Sequence, residues 1–133
     1  MSNHRTHNLR SWLLLLIPNE PISIYTILSK YDGANRDWIG FEEFCDVTGW
    51  LREADLIIFE SNLFSKTEKA SILIETYDLG QKPIFDAKDT LKLILKNLEL
   101  NDYKPLQISN EQFHIADKKV KGSSWLVQSW RLS

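Results

Sequence analysis

Two short, nearly uninterrupted apolar runs constrain the fold of this chain more than any other feature. The first is Ser11–Ile17, which ends at Pro18, and the second is Leu56–Phe59. Runs of this length are typical of strands that are covered on both faces. Helical spacing of apolar residues lies between them, and helices between buried strands favour a parallel sheet with right-handed crossovers. We therefore expect residues 13–17 and 56–59 to form neighbouring parallel strands.

The apolar spacing and the turn residues predict helices and one further short strand around these two runs. The first helix covers Ile24–Tyr31 and ends at Asp32–Gly33, and the second covers Phe41–Leu51 with Gly49 as its stop. The later elements, in chain order, are a loop at Ser61–Ser65, a helix capped by Ser65 that runs to about Tyr77, a third strand at Lys82–Phe85, and a helix capped by Asp86 or Asp89.

The two ends of the chain have patterns of their own. Met1–Leu9 is polar and is expected to be frayed. Leu106–Ser109 and Phe113–Ile115 alternate like strands, a basic turn follows at Lys118–Ser124, and Trp125–Trp130 closes a terminal hairpin. The prediction is a single α/β domain over residues 1–133. It has a small, mainly parallel three-stranded sheet flanked by helices, and residues 104–133 form a β-rich extension that ends in the hairpin.

Composition excludes several classes of function. The 133 residues are 43% apolar with a net charge of −2, which argues against direct nucleic-acid binding through a basic surface. The run Trp12–Ile17 is too short for a signal peptide or a membrane span. A single cysteine, Cys45, permits no internal disulfide and is typical of a reducing compartment, so we predict a cytoplasmic protein. We predict no cofactor, no metal site and no catalytic residues.

The negative charge is concentrated between Tyr31 and Glu60. This stretch holds eight acidic and two basic residues, so its local net charge is −6. Glu42, Glu43 and Asp46 fall within one turn of each other, on the helix face opposite the apolar stripe. Such a face is either simply solvated or a carboxylate patch that binds a cationic partner, and the spacing leaves both interpretations open.

The same stretch resembles the barstar family of small α/β ribonuclease inhibitors. Residues 31–35 (YDGAN), residues 37–44 (DWIGFEEF) and Trp50–Leu51 are similar to successive parts of that family's pattern. Leu56–Phe59 then falls where the family has a strand. The match needs two extra residues before Trp38, and Ile39 stands where the family has an aspartate.

The resemblance implies a protein-binding module that inhibits a ribonuclease or toxin. In that family the acidic helix and the turn before it plug the ribonuclease active site, where carboxylates imitate RNA phosphates. The partner would therefore present a basic surface. The candidate partner-binding residues are Tyr31, Asn35, Asp37, Trp38, Glu42, Glu43 and Asp46, with Asp37 and Asp46 included for their charge alone.

A second resemblance keeps an enzymatic alternative open. Residues 54–60 (ADLIIFE), a helix after Ser65, and Gly80–Pro83 are similar to the middle segment of nucleoside 2-deoxyribosyltransferase-like enzymes. That class requires a nucleophilic glutamate, whose position falls near Ser71 or Ile72. Glu68 and Glu75 are each about three residues away from that position. The alternative predicts a nucleotide-binding protein, or an enzyme whose catalytic site is degenerate.

Overall fold

The structure, a computed structural model, describes residues 3–98, 100 and 102–123. It contains six α-helices and three short strands in this part of the chain. In chain order they are α1 (Asn3–Leu16), β1 (Ile22–Ser23), α2 (Ile24–Asn35), α3 (Phe41–Glu53), β2 (Ile57–Glu60), β3 (Leu63–Lys66), α4 (Glu68–Thr76), α5 (Ile84–Lys96) and α6 (Asn110–Ser123), with one turn of 3-10 helix at Leu79–Gln81.

The first apolar run lies in a helix and not in a strand. Leu9, Leu13, Leu14 and Ile17 are each at most 1% exposed, and Ser11 is fully buried among them. The last residues of α1, from Trp12 to Leu16, are apolar on every side, as expected of a helix segment in a core, and α1 packs against α2, α3 and α5. The prediction of a first strand at Ser11–Ile17 is therefore wrong. The prediction that Met1–Leu9 is frayed is wrong from Asn3 onward, where α1 begins, while Met1 and Ser2 lie outside the described residues.

The sheet is antiparallel. Its strand order is β1-β3-β2, so β3 is central, and both of its pairings are antiparallel. The second apolar run does form β2, but this is an edge strand with Ile57 buried and Ile58 40% exposed. The predicted mainly parallel sheet, covered on both faces, is wrong because the helix α1 takes the place of its first strand.

A tight hairpin joins β2 to β3. Ser61 and Asn62 both have positive φ, at 52° and 62°, as a type I′ turn requires. Residues 61–65 were expected to be a loop, but only the first two are a turn. Phe59 faces Phe64 across the strand pair, with the two ring centroids 4.6 Å apart.

Two predicted stop signals do not end their helices. α2 continues through Asp32–Gly33 to Asn35 and ends where Arg36 adopts a left-handed conformation, with φ at 51°. α3 likewise continues past Gly49 to Glu53. Gly49 has a different role, since the backbone of residues 104–106 passes directly over it.

The middle helices begin at other residues than predicted. Thr67, and not Ser65, caps α4, and its hydroxyl accepts a hydrogen bond from the amide of Ala70 at 3.1 Å. No strand forms at residues 82–85, because α5 begins at Ile84, directly after Pro83. The Asp86 and Asp89 carboxylates therefore lie inside this helix and do not cap it.

The predicted β-rich extension and its hairpin are also wrong for the described residues. Residues 110–123, which include the expected strand at 113–115 and most of the expected basic turn, form α6. Phe113, Ala116 and Val120 recur at helical spacing and are buried, whereas Ile115 is 62% exposed. The expected final strand, Trp125–Trp130, lies outside the described residues.

The order of elements places α2, a five-residue turn, α3 and the β2–β3 hairpin in succession, which is the layout of a winged helix-turn-helix. The apolar core collects around α1 and around a cluster of rings from Phe44, Phe64 and Phe113. Within the described residues, none of the helices combines the length and apolarity that crossing a membrane would take.

Candidate functional site

A cavity of about 730 Å³ lies between α1, α3 and the extended segment 104–108. The segment is held against α3 by a hydrogen bond from the amide of Leu106 to the carbonyl of Cys45, at 2.8 Å. It forms one wall of the cavity, and the first turns of α1 and α3 form the other walls. The lining residues are Arg5, Thr6 and Leu9 from α1, Phe41, Glu42, Glu43, Cys45, Asp46 and Val47 from α3, and Lys104, Pro105, Leu106, Gln107 and Ile108 from the segment.

The lining combines apolar walls with carboxylates. Leu9, Val47 and Leu106 are at most 3% exposed and give the cavity an apolar interior. Glu42 is exposed, and no cation among the described residues forms an ion pair with it. Asp46 is partly buried, and it too forms no ion pair with a cation among the described residues. The cavity can therefore hold an apolar group and attract a positive charge beside it.

Arg5 organises the acidic side of the cavity. Its guanidinium binds both carboxylate oxygens of Glu43, at 2.5 and 3.1 Å, and reaches Asp37 at 3.1 Å. It also donates to the carbonyl of Trp38 at 3.2 Å. The hydroxyl of Tyr31 donates to the same Asp37 carboxylate at 3.0 Å. A fork-shaped donor between two carboxylates fixes their geometry, so Arg5 ties α1 to the turn before α3.

This network changes the acidity of its members. The hydrogen bonds from Arg5 hold the pKa of Glu43 below its ordinary value, with the amide of Gly40 adding to the effect against the opposing desolvation. In return, the hydrogen bond to Glu43 raises the pKa of Arg5 above its ordinary value, and Asp37 adds to this increase. Burial, followed by the negative charge of Asp37, raises the pKa of the Tyr31 phenol. At neutral pH, Glu43 is thus ionised and already paired.

We expect Arg5→Gln to return the pKa of Glu43 towards 4.5, its ordinary value. A folded-state pKa that is depressed gives a stabilisation that is present above the ordinary pKa and is lost as the pH falls through the depressed value. The pair is partly exposed, so the variant should lose no more than ~1 kcal/mol at neutral pH. NMR titration of the Glu43 carboxyl group, with urea unfolding at about pH 7 and about pH 3, measures both effects.

Arg52→Gln is the matched control, because Arg52 is an exposed arginine on the last turn of α3 and lies outside this network. It should leave the Glu43 titration unchanged. An equal shift of the Glu43 pKa in both variants would contradict a specific role for Arg5.

A second chain of contacts holds Asp46. The hydroxyl of Tyr103 donates to Asp46 at 2.8 Å, and the guanidinium of Arg10 lies 3.4 Å from the same hydroxyl. Arg10 also stacks over the ring of Trp50, 4.3 Å from its centroid. Burial raises the pKa of Tyr103, and the hydrogen bond to Asp46 adds to this. Asp46 therefore accepts its hydrogen bond from a hydroxyl group and not from a cation.

The seven residues predicted to bind a partner divide into two groups. Glu42, Glu43 and Asp46 line the cavity. The other four lie in the turn region beside it, where Tyr31 is 5% exposed and Trp38 is 36% exposed. They are Tyr31, Asn35, Asp37 and Trp38, of which Asn35 bonds the carbonyl of Tyr31 at the end of α2 and Trp38 faces the ammonium group of Lys121 at 5.1 Å.

Several residues of the site could not be found by sequence reasoning. Arg5 lies in the stretch that was expected to be frayed, residues 104–108 lie in the expected extension, and Tyr103 directly precedes that extension. None of them belongs to a local motif, because each reaches the cavity through contacts with chain segments more than thirty residues away. The run of carboxylates on α3 was the one signal in the sequence that pointed to this place.

The enzymatic alternative would need one pocket that gathers Asp55, Glu60 and a helix carboxylate, from Glu68 or Glu75, and the second cavity does not gather them. This cavity, of about 380 Å³, lies between α4 and residues 78–81 and includes Glu75. Asp55, Glu60 and Glu68 do not line it. Across the described residues, no three His, Cys, Asp or Glu side chains are grouped so that they could share a metal ion.

No family model matches this chain, and neither the curated proteins nor the solved structures include one with significant similarity to it.

Proposed function

We propose that this protein is a protein-binding module. Its ligand is an exposed segment of a partner protein that carries an apolar side chain next to lysine or arginine. The apolar side chain enters the cavity between α1, α3 and residues 104–108, and the basic residue lies against Glu42 and Asp46. The observation that supports this most is the presence of two carboxylates, at the edge of an apolar cavity, that form no ion pair with any cation in the described part of the chain.

The dimensions of the cavity support this proposal. Sites that bury small ligands or anchoring side chains measure about 300–1,000 Å³ and are lined mainly by apolar groups, and this cavity of about 730 Å³ falls within that range. Anchoring side chains in such desolvated pockets contribute most of the binding energy of protein interfaces. An apolar anchor is therefore the expected source of affinity here.

The acidic edge supports a basic partner. Glu43 is paired with Arg5, whereas Glu42 and Asp46 form no ion pair among the described residues. Complementary charges at the edge of an interface mainly accelerate association and set the orientation of the partner. Lys104 is the second basic residue of the lining after Arg5, so the carboxylates outnumber the cations.

The helix-turn-helix layout alone would suggest DNA, since the second helix of that motif enters the major groove. Two observations favour a protein ligand at α3 instead. The helix carries four acidic residues and one arginine, and phosphates repel such a surface. Residues 104–106 also lie against it at Gly49. A layout does not determine function, which depends on the site.

A ribonuclease or toxin is the partner class that we propose, in an inhibitory, immunity-type role. The support for this class is the resemblance of residues 31–60 to the barstar family, together with the acidic side chains that face the cavity. The antiparallel sheet and the central helix α1 do not add to that support. We propose a cytoplasmic location, for which the single, buried Cys45 is the supporting feature.

Selection of ligands from a displayed library of random peptides tests the proposal. We expect the selected peptides to place an aromatic or branched apolar residue next to lysine or arginine. In surface plasmon resonance with one such peptide, Glu42→Lys should slow association by roughly tenfold, since opposite charges at an interface mainly set the association rate. Purified basic ribonucleases, assayed for inhibition, test the proposed partner class separately.

Glu53→Lys is the matched control. Glu53 is an exposed glutamate on the same helix as Glu42, and it does not line the cavity. Glu42 is a better probe than Glu43, because reversal of Glu43 would also break the Arg5 network. Selected peptides without basic residues, or equal effects of the two reversals, would contradict the proposed site.

A further inference from the structure

A row of basic side chains runs along the seam between α1 and α5, on a part of the molecule that the proposed cavity does not use. Lys88, Lys92 and Lys96 recur every four residues on α5 and therefore share one face of it. His4 and His7 on α1 lie beside them. We refer to these five residues as the basic stripe.

Hydrogen bonds hold the stripe together. The ammonium group of Lys92 lies 3.1 Å from Nδ1 of His4, and that of Lys88 lies 3.5 Å from Oδ1 of Asn8. Burial lowers the pKa of His7, and the nearby positive charges of Arg10, Lys96 and Lys92 lower it further. The cations are therefore close enough to repel one another.

The stripe is poor in counter-charge. Asp89 is the one carboxylate that forms an ion pair with it among the described residues, and it pairs with Lys88 at 2.6 Å. Asp86 also lies on α5, but two residues before Lys88, which places it about 200° around the helix. The net charge of −2 for the whole chain thus combines an acidic α3 with a basic seam on another side of α1.

We propose that the basic stripe binds the phosphate backbone of a nucleic acid without reading its sequence. A row of lysines along one helix is the electrostatic signature of such a surface. The ammonium groups of the three lysines donate hydrogen bonds, which phosphate oxygens accept. Each lysine that neutralises a phosphate releases a counterion, and this release drives association. The low net charge argues against a fully basic surface but permits a localised one.

The observations favour a nucleic acid over an acidic protein. Stable protein interfaces have an apolar centre, whereas the stripe consists of charged and imidazole groups. Successive lysines four residues apart rise by about 6 Å along the helix. This regular one-dimensional row suits a linear polyanion with regularly spaced charges. The proposal is independent of the protein ligand proposed for the cavity.

Fluorescence anisotropy with a labelled 20-base-pair DNA duplex tests the proposal on the full chain. We expect a dissociation constant on the order of 10⁻⁴ M or tighter at low salt, and a log–log salt slope of about −2.7 if three lysines each neutralise one phosphate. Lys92→Gln/Lys96→Gln should reduce the magnitude of that slope by about 2, since each phosphate-binding lysine accounts for about 1. A single strand of the same length should bind with a slope of about −2.

The double variant Lys82→Gln/Lys118→Gln is the matched control, because it removes two exposed lysines that lie outside the stripe. Equal loss in both double variants would overturn the proposal, since the attraction would then be a property of overall charge. Polyglutamate that competes as well as the duplex, or a slope near zero, would also overturn it. Retention of binding in Glu42→Lys is expected, and it keeps this test separate from that of the cavity.

Discussion

Phe113→Ala is expected to destabilise the protein by about 3–5 kcal/mol, the usual cost of removing a buried aromatic ring. Phe113 is 1% exposed and is surrounded by rings. Its centroid lies 5.3 Å from that of Phe41 and 5.5 Å from that of Phe44. Aromatic pairs at such distances add to the effect of burial. The substitution therefore loses the free energy gained when the ring is buried away from water. It also loses the ring contacts between α6 and α3.

Ile115→Ala on the same helix is the control for this expectation. Ile115 is 62% exposed, and substitutions at such positions usually change stability by no more than ~0.5 kcal/mol. Urea unfolding of both variants, followed by tryptophan fluorescence, measures the difference. Similar midpoints for the two variants would mean that α6 does not pack against α3. The strand expected at Phe113–Ile115 would then describe this segment better than a helix.

The apolar run in α1 shows why a short pattern can mislead. Residues 13–16 are four leucines, and leucine is a strong helix former, whereas buried strands favour β-branched residues. Periodicity cannot distinguish a buried strand from a fully buried helix over so few residues. The decisive information is tertiary, because α1 is enclosed by α2, α3 and α5. The parallel-sheet prediction depended on this one element.

Elements with an amphipathic pattern were easier to predict. The apolar stripe of α3 indicated a helix from Phe41, and the structure has one there. The Leu56–Phe59 run indicated a strand, and Ile57–Glu60 forms one. The orientation of that strand could not be predicted, because Ser61–Asn62 make a hairpin turn without a glycine. A glycine at the second position would have been the stronger signal.

The candidate site likewise has a part that the local sequence predicts and a part that depends on contacts between distant residues. Glu42, Glu43 and Asp46 are neighbours on one helix, so the sequence alone brought them together. Their states depend on residues far along the chain, since Arg5 binds Glu43 and Tyr103 binds Asp46. No single-sequence pattern reports such pairs, and charge counting treated the three carboxylates as alike. Within the residues that the structure describes, Glu43 forms an ion pair and the other two carboxylates form none.

Experiment can distinguish two roles for Gly49, a helix stop or a position that lets another segment of the chain approach closely. As a helix stop it would be expected to lie at the end of α3, but the helix continues for four more residues to Glu53. A Cβ atom at this position would lie 2.2 Å from the carbonyl oxygen of Lys104 and 2.9 Å from Cα of Pro105. Those are backbone atoms, which cannot rotate away as a side chain can. Only glycine allows residues 104–106 to pass this closely.

Gly49→Ala should therefore destabilise the protein by about 1–3 kcal/mol, the usual cost of forcing extra atoms into a packed contact. It should also expose the Leu106 amide, which bonds the carbonyl of Cys45 at 2.8 Å. Gly33→Ala, inside α2 with no other atom within 4 Å of its Cβ position, should instead stabilise the protein by roughly 0.5–1 kcal/mol, because alanine favours helix. Urea unfolding and hydrogen exchange at Leu106 measure the two effects. Because residues 104–108 form a wall of the cavity, Gly49→Ala should also weaken binding of the selected peptides. If Gly49→Ala proved as stable as Gly33→Ala, residues 104–106 would not pack against α3 at this position.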